Sequence, residues 1–262
     1  MMKAVLKILP VLLITVYLVI AFGFTAGERR SVICNDINVV IKDSLNIGFY
    51  TKNDIKEVIA NSGFGLQGYP VTAINTRDME KLFYDMPYIR KVNIYVTMQG
   101  SLTVKAIQRE PVVRIFTGES RSYYLDAEGY IMPESRRFTP FVLVANGYFP
   151  GGNEISNAGH IDNIQNKKKY KAWFDVLELV KYINKDDFWR SQVVQIYFNR
   201  QGKFELIPRV GAHMIILGDV TDMEEKLNKL RSLYLKGFPV EGWNTYEKID
   251  LRYKNQVVCT KR

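Results

Sequence analysis

Pro87-Tyr88-Ile89-Arg90-Lys91-Val92-Asn93-Ile94-Tyr95-Val96, followed by Leu102-Thr103-Val104-Lys105-Ala106-Ile107-Gln108-Arg109-Glu110-Pro111, decides how this chain folds. Val92, Ile94 and Val96 alternate with polar neighbours, the period-2 pattern of a strand with one buried face. Leu102 and Val104 open a second such run. The link Met98-Gln99-Gly100-Ser101 carries a glycine where a tight hairpin wants one. Pro87 stops whatever precedes the pair, and Pro111, which has no N–H, ends the pairing.

Upstream, the sequence supplies the elements that cover this hairpin. Ile37, Val39 and Ile41 alternate, as in a strand. Thr51 and Asp54 have the spacing of a helix cap, followed by the apolar stripe Ile55, Val58 and Ile59 and a stop at Asn61-Ser62-Gly63. Thr76 is read as the cap of a second helix carrying Met79, Leu82, Phe83 and Met86. The order is strand, helix, helix, strand, strand: one small α+β layer pair.

Downstream lies a second, β-rich module. Leu125-Asp126-Ala127-Glu128-Gly129-Tyr130-Ile131 reads as a strand end, a turn on Asp126 and Gly129, and a return strand. Phe141 to Val144 is a further strand, and Gly147 to Asn166 a surface loop. Tyr170 to Ile183 is a helix whose buried side carries Trp173, Phe174, Leu177 and Val180. Gln192 to Phe198 and Lys203 to Ile207 form a hairpin about Asn199-Arg200-Gln201-Gly202, and Met214 to Leu217 adds a strand. Thr221-Asp222-Met223-Glu224 has the spacing of a capping box, leading a helix with Met223, Leu227, Leu230 and Tyr234 inward. The chain closes on Ile249 to Val258, read as one extended terminal strand.

Before all this stands an apolar run, 4–26, free of charge from Ile8 to Phe24. Roughly 20 apolar residues suffice to cross about 30 Å of hydrocarbon as a helix. A cleaved signal peptide needs small residues at A-x-A spacing, and Phe24-Thr25-Ala26 places a phenylalanine there. A lipoprotein reading fails because Cys34 follows Ser31-Val32-Ile33, well past the apolar core. The expectation is an uncleaved single-pass anchor, with residues 1–3 as a short cytoplasmic tail and the bulk outside.

The chain has 262 residues and a formal net charge of +9. Its densest basic cluster, Lys167-Lys168-Lys169 with Lys171, reads as a solvated helix start, and no nucleic-acid motif accompanies it. Two cysteines, Cys34 and Cys259, are not a disulfide framework, and a bridge between them stays open. His160 and His213 are isolated, so no metal-ligand spacing exists. Asp186-Asp187 has no acid/base partner nearby and is read as solvated. No nucleophile elbow and no phosphate-binding loop occurs. No enzyme, cofactor or metal is implied, and binding is what remains. A terminal edge strand offers unpaired N–H and C=O groups to a strand from another protein.

These motifs carry a resemblance. The β-α-α-β-β order, the apolar segment ahead of it, and Pro87-Tyr88-Ile89-x-x-Val92 leading into Leu102-x-Val104 resemble a POTRA domain of the FtsQ/DivIB cell-division family. That family typically shows Pro-Trp-Val and Glu-Arg-x-Pro-Val-Ala; here Tyr88 replaces the tryptophan and Gln108 the glutamate. Leu125-Asp126-x-x-Gly129 is similar to its Leu-x-Asp-x-x-Gly element, with the aspartate one place earlier. Leu217-Gly218 with Glu225-Lys226-Leu227, and above all Ile249-Asp250-Leu251-Arg252-Tyr253, continue the likeness.

The resemblance implies an α+β protein with a POTRA domain over 34–109, a β domain with two helices over 110–258, and a tail over 259–262. It implies a non-enzymatic scaffold in the cytoplasmic (inner) membrane, its bulk periplasmic and enriched at the division septum. Its partners would be FtsB/DivIC-like and FtsL-like proteins and septal peptidoglycan synthases, besides membrane lipid. Strand addition at the C-terminus would engage Asp250, Arg252, Tyr253, Asn255 and Val257. Two rival readings are a POTRA-containing outer-membrane secretion or assembly component and an anchored extracytoplasmic hydrolase. The first needs a long β-barrel after its POTRA units, and the second needs catalytic motifs that are missing.

Overall fold

A computed structural model describes residues 12–23, 32–42, 47–64, 68–97, 99–119 and 121–262. Of the apolar run 4–26, residues 12–23 are helical, with exposed apolar side chains such as Leu12, Tyr17 and Phe22. The rest of the run lies outside the described residues. Among the described residues, no helix is long and apolar enough to cross a membrane. The chain divides into two compact units, Met1–Gln108 and Arg109–Arg262.

The first unit contains β1 (Asp36–Lys42), α1 (Lys52–Asn61), α2 (Thr76–Lys81), β2 (Ile89–Val96) and β3 (Ser101–Gln108). Its sheet has the order β1-β3-β2, with β1 parallel and β2 antiparallel to β3. Thr51 and Asp54 form the expected reciprocal cap of α1. The second helix starts one place earlier than expected, with Asn75 as its cap, and its regular part ends at Lys81. Ile55, Ile59, Met79 and Phe83 meet Val92, Ile94, Leu102 and Val104 in one core. Gly100 takes φ +82 in the hairpin turn, and a Cβ there would lie 2.3 Å from the Ile33 carbonyl oxygen.

Two departures from the family's letters have clear structural roles. The Tyr88 ring stacks on Phe49 with centroids 4.2 Å apart. Gln108 is buried and closes the unit: its amide donates to the Ile47 carbonyl at 2.8 Å, and its oxygen accepts from Tyr50 N–H at 2.9 Å.

The second unit is built on a nine-stranded mixed sheet. Its strands are β4 (Pro111–Thr117), β5 (Ser122–Asp126), β6 (Ile131–Pro133), β7 (Leu143–Phe149), β8 (Val193–Phe198), β9 (Phe204–Pro208), β10 (Met214–Gly218), β11 (Tyr246–Asp250) and β12 (Val258–Lys261). The order is β12-β11-β10-β9-β8-β7-β4-β5-β6. Val113, Ile115, Ala145, Ile196, Leu206, Ile215 and Ile249 point into a core with Trp173, Val176, Val180, Leu227 and Leu230. The helical side comes from α3 (Lys171–Lys185), α4 (Asp187–Gln192) and α5 (Met223–Ser232). Intervening strand residues such as Arg114, Asn146, Gln195 and Glu205 stay half-buried.

Several expectations are corrected here. The unit has more than two helices, because Asp186 caps a short one, α4, accepting from Phe188 and Trp189 N–H and pairing with Arg231. It is therefore structural rather than merely solvated, whereas Asp187 is exposed and pairs with Arg190. Gly147 to Asn166 is not all loop: β7 runs on to Phe149, and Asn153–Ser156 makes a helical turn. The Thr221 capping box does not form. Asp222 takes the cap position at φ 54 without a side-chain bond, and Glu224 and Glu225 supply negative charge to the first turn instead.

The chain end is the largest correction. Ile249 to Val258 is not one strand. β11 stops at Asp250, residues 251–257 turn, and β12 folds back antiparallel to β11. The supposed tail, 259–262, supplies most of β12.

Candidate partner-binding edge

The site is built on β10, β11 and β12. Ile249 and Leu251 are fully buried, and the Leu251 N–H donates to the Ile216 carbonyl at 3.0 Å, so the end of β11 is fixed from its β10 side. The turn is closed by Arg252, which folds back on Asp250. Its guanidinium Nε donates to both carboxylate oxygens at 2.9 and 3.1 Å, and its backbone N–H donates to Oδ1 at 3.0 Å. Burial works to raise the Asp250 pKa, but the hydrogen bonds and charge of Arg252 outweigh it and hold the carboxyl below the ordinary carboxylate value.

Space for that fold-back comes from outside the motif. Gly218, at φ +83, ends β10, and a Cβ there would stand 2.9 Å from Arg252 Cγ. Lys229 donates to the Tyr253 carbonyl at 2.8 Å, tying the turn to α5. Asn255 takes φ 59, a left-handed conformation that asparagine tolerates better than most residues. Val257 then packs against the core.

Of the five expected binding residues, the structure brings Asp250 and Arg252 together as an ion pair. Tyr253 is half exposed, Asn255 supplies the turn and Val257 is half-buried. None of the last four lies in a strand. The edge itself is β12, whose register is Lys248↔Thr260, Ile249↔Cys259 and Asp250↔Val258. The Arg262 N–H donates to the Thr245 carbonyl at 3.2 Å, and its side chain donates to the Ala212 carbonyl at 2.7 Å, pinning the end of the strand. Because backbone groups alternate sides along a strand, Cys259 and Lys261 present their N–H and C=O away from β11. Among the described residues, β12 has β11 as its one neighbour.

Sequence reasoning placed Val258 in a strand but missed Cys259 to Lys261. The signal was present: Val257-Val258-Cys259-Thr260, β-branched at all but Cys259, stands two places after the turn-forming Asn255. Both cysteines are free thiols, Cys34 buried and Cys259 partly so. Among the described residues, no group of three or more His, Cys, Asp or Glu could hold a metal ion.

The fold and its edge define a class: a POTRA-like α+β unit followed by a mixed-sheet domain that ends in a strand open on one side. The model of the POTRA-like domain matches residues 32–107, and that of the "FtsQ/DivIB, C-terminal related" family matches residues 110–260, more than half of the chain. The chain belongs to the FtsQ/DivIB family of cell-division proteins. The cell division protein FtsQ of Rhodothermus marinus is 25% identical to it over 176 residues, 66% of this chain and 60% of that protein. The chain thus spans about 60% of the length of the curated relative it matches.

Proposed function

We propose that the chain is a non-enzymatic division scaffold, anchored in the cytoplasmic membrane by residues 4–26 with its bulk outside and enriched at the septum. POTRA (34–109) and β (110–258) domains would divide the work, the β domain now extended by β12. In this reading β12 captures an extended segment of FtsB/DivIC-like or FtsL-like partners, and septal peptidoglycan synthases join through that assembly. Asp250 and Arg252 set the shape of the turn rather than grip the partner; Tyr253, Asn255 and Val257 flank the docked segment.

One observation carries this: β12 ends a nine-stranded sheet with the backbone groups of Cys259 and Lys261 turned outward. Backbone hydrogen bonds to such an edge give affinity, and alternate side chains give specificity. The apolar run free of charge from Ile8 to Phe24 supports the anchor. The outer-membrane assembly reading is not favoured, since the segment after the POTRA-like domain matches the FtsQ/DivIB model instead.

A proline at Gln256 or Val257 would strike the turn, so the better test is Lys261→Pro. It removes an outward N–H without removing a β11 ladder donor. Capture of the FtsB/DivIC-like partner by the full-length protein should fall several-fold, up to about tenfold, the loss of one well-made hydrogen bond. Tyr253→Ala should weaken capture with the fold intact. Unchanged capture by Lys261→Pro would remove edge recognition from the account. A fluorescent fusion spread evenly through the envelope, with no midcell band, would remove the septal role.

A further inference from the structure

The first unit has an edge of its own, and it is not open. β2 borders the three-stranded sheet, paired with β3 through Lys91↔Ile107, Asn93↔Lys105 and Tyr95↔Thr103 among other residues. The Thr97 N–H donates to the Ser101 carbonyl at 2.9 Å, which sets the odd-numbered residues facing β3. By alternation Val92, Ile94 and Val96 turn their backbone groups outward. The central one is occupied: Ile94 N–H donates to Glu80 Oε1 at 2.8 Å. Glu80 comes from α2, fourteen residues earlier, and is half-buried against the strand, while the Ile94 side chain is almost wholly in the core.

We propose that Glu80 keeps the β2 edge closed to a second copy of this chain. The occupant it excludes is defined by the register. Outward groups at Val92, Ile94 and Val96 are self-complementary about a two-fold axis through Ile94. Two copies could pair antiparallel with Val92 facing Val96 and Ile94 facing Ile94, each facing pair exchanging about two hydrogen bonds. β2 is eight residues long and alternates apolar with polar residues, the kind of edge that templates such pairing. A carboxylate on the central N–H takes the donor that the symmetric pair needs most. In that pair two Glu80 carboxylates would also meet at the junction and lose their water, which is unfavourable for like charges without a partner.

The test uses full-length protein in mild detergent: wild type, Glu80→Ala and Glu80→Gln, with amide hydrogen exchange of β2 followed as a function of protein concentration. In dilute wild type the Ile94 amide should exchange at least about tenfold more slowly than in dilute Glu80→Ala, as expected for a lost hydrogen bond to a charged acceptor. On concentration, the Val92, Ile94 and Val96 amides of Glu80→Ala should become protected together as its mass doubles, and those of wild type should not. Glu80→Gln keeps an acceptor oxygen and should follow wild type in dilute solution. Equal Ile94 exchange in dilute wild type and Glu80→Ala would overturn the capping role. Absence of concentration-dependent protection in Glu80→Ala would overturn the closure. Unaltered protection of β3 amides in both variants would establish that either result reflects the edge and not a lost fold.

Discussion

Arg109→Ala should destabilise the second unit by about 3 kcal/mol. Arg109 is its first residue and is largely buried: Nη1 lies 2.8 Å from Asp126 Oδ2, with 12% and 5% of the two side chains exposed. Its guanidinium also lies over the Tyr130 ring, 3.5 Å from the centroid. Asp126 does more than pair. Its Oδ1 accepts from Glu128 N–H at 3.0 Å and Tyr130 N–H at 2.8 Å, shaping the turn that returns the chain into β6. Removing one partner of a buried ion pair typically costs about 3–5 kcal/mol because the other charge is left uncompensated. The two retained N–H donors argue for the low end, and loss of the stacked cation adds about 0.5–1 kcal/mol back. A domain is stable by only about 5–15 kcal/mol in total.

The assay is simple because all three tryptophans, Trp173, Trp189 and Trp243, lie in the second unit, so urea unfolding followed by tryptophan fluorescence reports that unit alone. With a slope of about 1–3 kcal/mol per molar urea, the midpoint should fall by roughly 1–3 M. Asp126→Asn should behave similarly, and the double variant should lose less than the sum of the two by at least about 1 kcal/mol. Losses under about 0.5 kcal/mol for Arg109→Ala, or additive losses, would refute the reasoning.

Two further outcomes are expected. His213 is buried among Tyr234, Phe238 and Trp243, with Nε2 2.8 Å from the Tyr234 hydroxyl; burial lowers its pKa, the backbone of Trp243 opposes that, and the charge of Arg262 adds to it. The unfolded chain therefore takes up the proton first, so stability should fall as pH drops below about 6.5, by up to about 1.4 kcal/mol per pH unit until the folded pKa is reached; His213→Gln should flatten that slope in urea titrations between pH 7 and 5, and an unchanged slope would exclude His213 as its source. Gly147 sits at φ +109 inside β7, where a Cβ would stand 2.2 Å from the Phe198 carbonyl oxygen, so Gly147→Ala should force β7 from β8 and cost about 3 kcal/mol or more, seen as a lowered thermal midpoint; a loss under 1 kcal/mol would contradict the close approach.

What was legible in the sequence was local. The Thr51–Asp54 cap, the β2 and β3 alternation, the Gly100 turn and the Asp126–Gly129 turn each depend on residues a few positions apart, and each stands as expected. The chain end was misread because its conformation is decided at a distance. Ile249-Asp250-Leu251-Arg252-Tyr253 alternates like a strand, yet Arg252 folds back on Asp250 because Gly218, far upstream, leaves room for its stem. No period in 249–258 could disclose a glycine on β10. The Thr221 box is a similar case: Thr221 and Glu224 have the spacing, but a left-handed Asp222 takes the cap position itself and no side-chain cap bond forms.

The two units handle their edges by different chemistry, and that difference bears on which surface takes a partner. β6 is three residues long and ends in Pro133, with Glu134 held by Ser122 and Arg114, so it offers little ladder to extend. β2 is long, but its central outward N–H is committed to Glu80. β12 is short as well, yet its inner side is held by the β11 ladder and by Arg262, while Cys259 and Lys261 carry their backbone groups outward. A short strand gains affinity from an added segment only when it is already ordered, because then the incoming chain alone loses conformational freedom. The turn made by Asp250, Arg252 and Asn255 supplies that order. On this reasoning Arg252→Ala should weaken partner capture without touching the partner, by freeing β12, and exchange of the β12 amides should rise in the same variant. Weakened capture with β12 still protected would instead put Arg252 in direct contact with the partner.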